Sequence, residues 1–202
     1  MALNSDEYYS IEAPSQGLYK DQKSKFYAFA YPVESEGEVK VLLERLREEY
    51  HDARHHCCAY RIGLNGQEWR ASDDGEPAGT AGRPILGQID SAGLSDVAVI
   101  VVRYFGGIKL GVPGLIAAYK AASADALSHA KKIVKVEGRW CHLSFDYSQI
   151  PSVMKILKDM ALPIRAQEFG SECSMDVRLR SSLMSNFFDR IKNLPNFKYE
   201  FI

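Results

Sequence analysis

The chain of 202 residues carries 25 Lys and Arg against 26 Asp and Glu, a formal net charge of -1 at pH 7, and 46% of it is apolar. That balance can fill a real core, and it excludes a global basic field that would draw in nucleic acid without a local patch. No apolar run reaches the ~18–20 residues needed to span a bilayer, and the acidic opening MALNSDEYYSIEAP lacks a basic-then-apolar leader, so a cytoplasmic protein with no membrane partner is expected.

In chain order, strand-like EYYSIEA is followed by SKFYAFAYPV. In EVKVLLERLREEY, Val39, Leu42, Leu43, Leu46 and Tyr50 recur at i, i+3, i+4, i+7 and i+11, which predicts a helix with one apolar face. HHCCAYRIG and EWRAS read as short strands around the turn signal Asn65-Gly66. The Gly- and Pro-rich loop DDGEPAGTAGRP leads into a short helix at ILGQIDSAG. VAVIVVRYF is a continuous apolar run, the mark of a strand covered on both faces. Pro113 suits the first turn of the long Ala-rich helix that follows.

At KKIVKVEG the pattern changes to polar and apolar in alternation, and a domain boundary is placed there, giving domains at 1–134 and 135–202. The second domain reads as βαββαβ, the ferredoxin-like pattern. In WCHLSFDY, Cys141, Leu143, Phe145 and Tyr147 share one strand face. Ser148 is placed to cap a helix striped by Ile150, Val153, Met154 and Leu157. PIRAQEF and CSMDVRLR form a hairpin around Gly170, with Met175, Val177 and Leu179 inward. LMSNFFDRI is a second helix and FKYEFI a final strand. The fold class is therefore α+β in two domains. The last 67 residues hold nine Lys/Arg and eight Asp/Glu, so neither half is an evident electrostatic binder.

Two loops carry the candidate sites. RYFGGIKLGVPG places Gly106, Gly107, Lys109, Gly111 and Gly114 between the apolar strand and the long helix, where many proteins hold a phosphate. Gly106 and Gly111 have Walker A spacing, but Val112 and Pro113 stand where Lys and Ser/Thr are required, so NTPase chemistry is disfavoured. What stays open is a structural turn or an anion seat at the free amides of the helix start. In DDGEPAGTAGRP, Asp73, Asp74 and Glu76 sit close enough to suggest Mg²⁺, although EF-hand spacing is absent; a structured loop or a partner-binding loop are the competing readings. In ARHHCCAYR the strand period gives His55 and Cys57 to one face and His56 and Cys58 to the other, two ligands each where zinc wants four. No metal, no cofactor and no catalytic residue is assigned. The four cysteines, Cys57, Cys58, Cys141 and Cys173, are expected to be reduced. The second half lacks an RNP1-like run, which disfavours an RNA-recognition motif despite the topology.

RYFGGIKLG at 103–111 and DDGEPAGTAGRPIL at 73–86 resemble the two characteristic blocks of the IMPACT/YigZ family, supported by KSKF at 23–26 and AYR at 59–61. The βαββαβ tail is similar to the small C-terminal domain of the bacterial, YigZ-like branch. The resemblance implies an N-terminal α/β sandwich like domain IV of elongation factor G, with its ribosomal-protein-like βαβ fold, and a C-terminal domain like the last domain of that factor. It also implies a link to translational control, which eukaryotic members exert by competing for an activator of a stress kinase. Two positions depart from the family pattern: Pro113 replaces a small residue and Ala117 an arginine.

The expectation is a non-enzymatic, translation-associated protein that binds RNA, the ribosome or a translation-associated protein, with no DNA partner. An anionic contact is expected at Arg83, Arg103, Tyr104, Gly106, Gly107, Lys109, Gly111 and Gly114, with Tyr104 and Phe105 straddling core and surface. The partner loop comprises Asp73, Asp74, Gly75, Glu76, Pro77, Gly79, Thr80 and Gly82, packed beside the same strand end. The alternatives are an interaction module without nucleic-acid affinity, and a metal- or phosphate-dependent enzyme using the DDGEP carboxylates.

Overall fold

The computed structural model describes residues 3–202, a mixed α+β chain with five helices and eleven strands among them. It separates into two compact units, one running from Tyr8 to Lys135 and the other from Val136 to Ile202 together with residues 3–7. β1 (Glu7–Ile11) pairs with β7 (Lys132–Val136) in a two-stranded sheet.

The larger unit is built on a five-stranded antiparallel sheet in the order β2-β3-β6-β4-β5. Its strands are β2 (Ser15–Asp21), β3 (Ser24–Pro32), β4 (His55–Ile62), β5 (Glu68–Ser72) and β6 (Val97–Tyr104). β6 is central, and Val97 to Val102 are each 0% exposed, as a run apolar at every position requires. Its odd positions Val97, Val99 and Val101 face the core under α2 (Gly82–Ala92) and α3 (Gly111–Ser128), packed with Ile85, Ile89, Leu115 and Tyr119. Its even positions Ala98, Ile100 and Val102 face α1 (Glu36–Glu49), which buries Val39 and Leu46 against them. α1 starts at Ser35, whose Oγ accepts from the Glu38 amide. β2 escaped the sequence reading because it is an edge strand with no fully buried position, so its hydrophobic alternation is faint.

The smaller unit has the order β8 (Gly138–Asp146), α4 (Ile150–Asp159), β9 (Ile164–Glu168), β10 (Glu172–Arg180), α5 (Met184–Ile191), β11 (Lys198–Phe201), with sheet order β11-β8-β10-β9 and antiparallel pairing throughout. Cys141, Leu143, Phe145, Met175, Val177 and Leu179 form the core under α4 and α5. Tyr147 does not join that face. β8 stops at Asp146, the chain enters a 3-10 turn at Tyr147–Gln149, and Tyr147 is 64% exposed. Ser148 lies inside that turn and does not cap α4, which has no side-chain cap; the Gln149 side-chain amide donates to the Pro195 carbonyl instead. Met154, placed on the buried stripe from sequence, is 37% exposed.

Candidate anion-binding cavity

The end of the five-stranded sheet where β3 and β4 begin and β6 ends organises the site. Arg103 of β6 pairs in register with Phe26 of β3 and His55 of β4, so the three side chains stand in one row on the α3 face. A cavity of about 420 Å³ opens over this row. Its polar lining is Arg54, His55, Glu76, Arg103 and Lys109; Phe105, Leu110, Val112 and Leu115 supply an apolar wall.

Arg103 is the anchor. Its Nη1 donates to Glu76 Oε1 at 2.5 Å, and the two side chains are 6% and 4% exposed. Its guanidinium lies 5.4 Å from the Phe26 ring centre and 5.6 Å from that of Phe105. Its Nε is buried and has no hydrogen-bond partner among the described residues. Glu76 Oε1 also accepts from the Tyr119 hydroxyl at 2.8 Å, and Cys57 Sγ lies 3.3 Å behind that hydroxyl. Burial pushes the Cys57 thiol and the Tyr119 hydroxyl upward, which keeps both neutral. Arg54 and Lys109 enter no ion pair among the described residues. With Arg103 they set three cations against one carboxylate around the cavity. The first-turn amides of α3 belong to Gly111 and Val112, both lining residues, and a helix has no internal acceptor for them. Pro113 removes a third donor from that turn.

The partner loop explains itself differently from a metal cradle. Asp73 Oδ1 accepts from the amides of Ala81 and Gly82 at 2.9 and 2.8 Å, and Oδ2 from Gly79 at 2.8 Å, so its carboxylate caps α2. Burial alone would raise its pKa, but the three amides outweigh that and hold it below the usual carboxylate value. Asp74 Oδ2 accepts from the His56 amide at 2.7 Å and Oδ1 from Arg47 at 2.8 Å, and its carbonyl meets His55 Nδ1 at 2.8 Å. Each of the three acids is thus engaged within the fold, and no His, Cys, Asp or Glu cluster among the described residues has metal-holding geometry.

Of the residues singled out from sequence, Arg103, Lys109, Gly111, Glu76 and Pro77 line the cavity. Gly106 and Gly107 shape the corner behind it. A Cβ on Gly106 would lie 2.1 Å from the Lys23 carbonyl carbon, so only glycine permits the β6 exit to pass the β2–β3 turn. Gly114 lies on α3 with its missing Cβ toward Leu110. Tyr104 faces the opposite side of the sheet, where its hydroxyl donates to Asp52 at 2.6 Å. Arg83 is exposed on α2, and Ala117 is exposed on α3; neither lines the cavity. Asp73, Asp74, Gly75, Gly79 and Thr80 belong to the loop that carries Glu76 and Pro77 into the cavity lining, and Gly82 opens α2. Sequence reading did not place Arg54, Leu110, Val112 or Leu115 at the site and weighed His55 only as a zinc ligand, because local pattern does not pair the start of β4 with β6.

Residues 22–127 match the family described as the Impact N-terminal domain. The chain is 36% identical over 177 residues to the IMPACT family member YigZ of Escherichia coli (strain K12), covering 87% of each chain. It is 29% identical over 191 residues to the IMPACT family member YvyE of Bacillus subtilis (strain 168), covering 95% of this chain and 88% of the relative. Protein IMPACT of Xenopus laevis is 38% identical over 96 residues, 45% of this chain and 30% of that protein. A crystal structure described as that of a hypothetical protein superposes with a TM-score of 0.71 at 29% identity, covering 98% of both chains.

Proposed function

The chain belongs to the IMPACT family, and from that premise we propose that it is a cytoplasmic, non-enzymatic, translation-associated protein that holds RNA, ribosomal RNA included, by its phosphates at the Arg103 cavity. The observation that carries this reading is the buried Arg103 guanidinium with an unpartnered Nε, set among Arg54, Lys109 and the first-turn amides of α3. A planar guanidinium suits phosphate oxygens, and a helix start favours anions. The likeness to elongation factor G that the family resemblance implies points the same way, by analogy of fold only. No helix among the described residues is long and apolar enough to cross a membrane.

The test is fluorescence anisotropy of a single-stranded RNA across a salt series. Affinity is expected to fall with rising salt, because bound cations release counterions. Lys109→Ala is expected to weaken binding across sequences and to flatten the single-strand salt slope by about 0.7. No binding at low salt, or an affinity indifferent to salt, overturns phosphate contact; a ribonuclease-resistant protein partner in a lysate pull-down would then favour an interaction module.

A further inference from the structure

Across β6 from the cavity, at the same end of the sheet, lies a second recess of about 390 Å³ lined by Lys23, Lys25, Tyr27, Tyr50, Tyr104 and Phe105, with Asp52 beside them. It grows from the same register as the first. Lys25 pairs with Tyr104 one position along from the Phe26–Arg103 pair, so the pleat sends this row to the α1 face. The rings are held in place. Tyr104 is tied through its hydroxyl to Asp52 at 2.6 Å. Tyr27 meets Tyr104 edge-on at 6.0 Å and stacks with Tyr50 at 6.2 Å. Lys23 and Lys25 are exposed and enter no ion pair among the described residues. The turn that carries Lys23 is clamped to the β6 exit, where the Gly106 amide donates to Ser24 Oγ at 3.1 Å.

Phe105 belongs to both recesses and is 47% exposed. An exposed ring between two cationic hollows, one holding Arg54, Arg103 and Lys109 and the other Lys23 and Lys25, matches a nucleotide strand that sets one base on a ring and a phosphate to each side. We propose that the ligand is single-stranded RNA, with a base stacked on Phe105 and its flanking phosphates divided between the two hollows. This rests on the RNA reading of the first cavity and extends it. A base inside a duplex is already stacked and has no free face to offer, so a duplex cannot use Phe105. Stacking of this kind tolerates any base, since every base has a π-face.

The experiment uses the full chain and three probes of equal length, about eight nucleotides, which is within the range of single-strand sites: an oligouridylate, an abasic strand with the same phosphates, and a duplex. A 2-aminopurine version of the single strand reports stacking by quenching. Phe105→Ala is expected to weaken oligouridylate binding about tenfold to a hundredfold, to abolish quenching, and to weaken abasic binding by far less than oligouridylate binding; Phe105→Tyr is expected to restore both signals. The pair Lys23→Ala and Lys25→Ala is expected to flatten the single-strand salt slope by about 0.7 for each phosphate no longer neutralised. If the abasic strand binds as tightly as the oligouridylate, or the duplex binds as tightly as the single strand, the stacking proposal is overturned while phosphate binding stands. If none of the three probes binds, the phosphate reading falls as well.

Discussion

The guanidinium of Arg103 and the carboxylate of Glu76 meet at 2.5 Å with almost no solvent access. Removing one partner of a buried pair leaves an uncompensated charge in low dielectric, which typically costs about 3–5 kcal/mol. Glu76→Gln is therefore expected to lower unfolding stability by about that amount in urea titration. Tyr119→Phe deletes only one hydrogen bond to the same oxygen and should cost nearer ~1 kcal/mol. Equal losses in the two variants would show that the pair is not the stabilising element. Coupling Glu76→Gln with Arg103→Met should recover much of the loss, since an apolar replacement of the arginine removes the stranded charge.

Asp73 holds the start of α2 through the Gly79, Ala81 and Gly82 amides. Asp73→Ala is expected to cost about 2 kcal/mol, the upper end for removal of a cap. Hydrogen exchange is the sharper measurement: the three amides should exchange faster in the variant, while amides in the middle of β6 change only by the global loss of stability.

Asp6, in the smaller unit, accepts from Arg180 Nε and Nη2 at 3.1 and 2.8 Å and from the Ser182 hydroxyl and amide. The Arg180 guanidinium above all holds its carboxyl down to about 2, against an ordinary value of 3.8. A depressed carboxylate stabilises the folded state above its unfolded pKa, and that stability drains away as pH falls toward the folded pKa. Stability should therefore decline between pH 3.8 and about 2, and Asp6→Asn should be both less stable at neutral pH and less sensitive to acid in that window. An Asp6→Asn protein with the parent's acid profile would exclude this contribution.

Gly106 leaves no room for a side chain against the backbone of Lys23 and Ser24. Gly106→Ala must push the β2–β3 turn away, at a cost of about 1–3 kcal/mol by analogy with overpacked cores. Gly107→Ala meets no neighbour within 4 Å but has a φ of +86°, so strain rather than collision sets its cost. Thermal melts of the two variants should place Gly106→Ala lower; the reverse order would mean that the turn gives way freely.

Much of this protein is written in local pattern. Six consecutive apolar residues from Val97 to Val102 announced a strand buried on both faces, and they form one. The alternation in β8 and β10 named their inward residues because the pleat repeats every two positions whatever the neighbours are. It failed at Tyr147, where the strand had already ended, and at Met154, because helical spacing gives an angle around the axis but not the width of the face that is covered.

By itself the sequence determined the family blocks, the glycine corner after β6 and the failure of Walker chemistry, since each depends on residues a few positions apart. Only the tertiary structure decided what the charges do. Asp73, Asp74 and Glu76 looked alike in the chain, yet the fold gives one to a helix start, one to β4 and one to Arg103, 27 positions away. Arg54 and His55 reach the cavity only because β4 pairs with β6. Periodicity is a property of the backbone's own repeat and is legible locally. Strand order and ion pairing are set by which distant surfaces bury each other, and that is resolved only when the whole core closes.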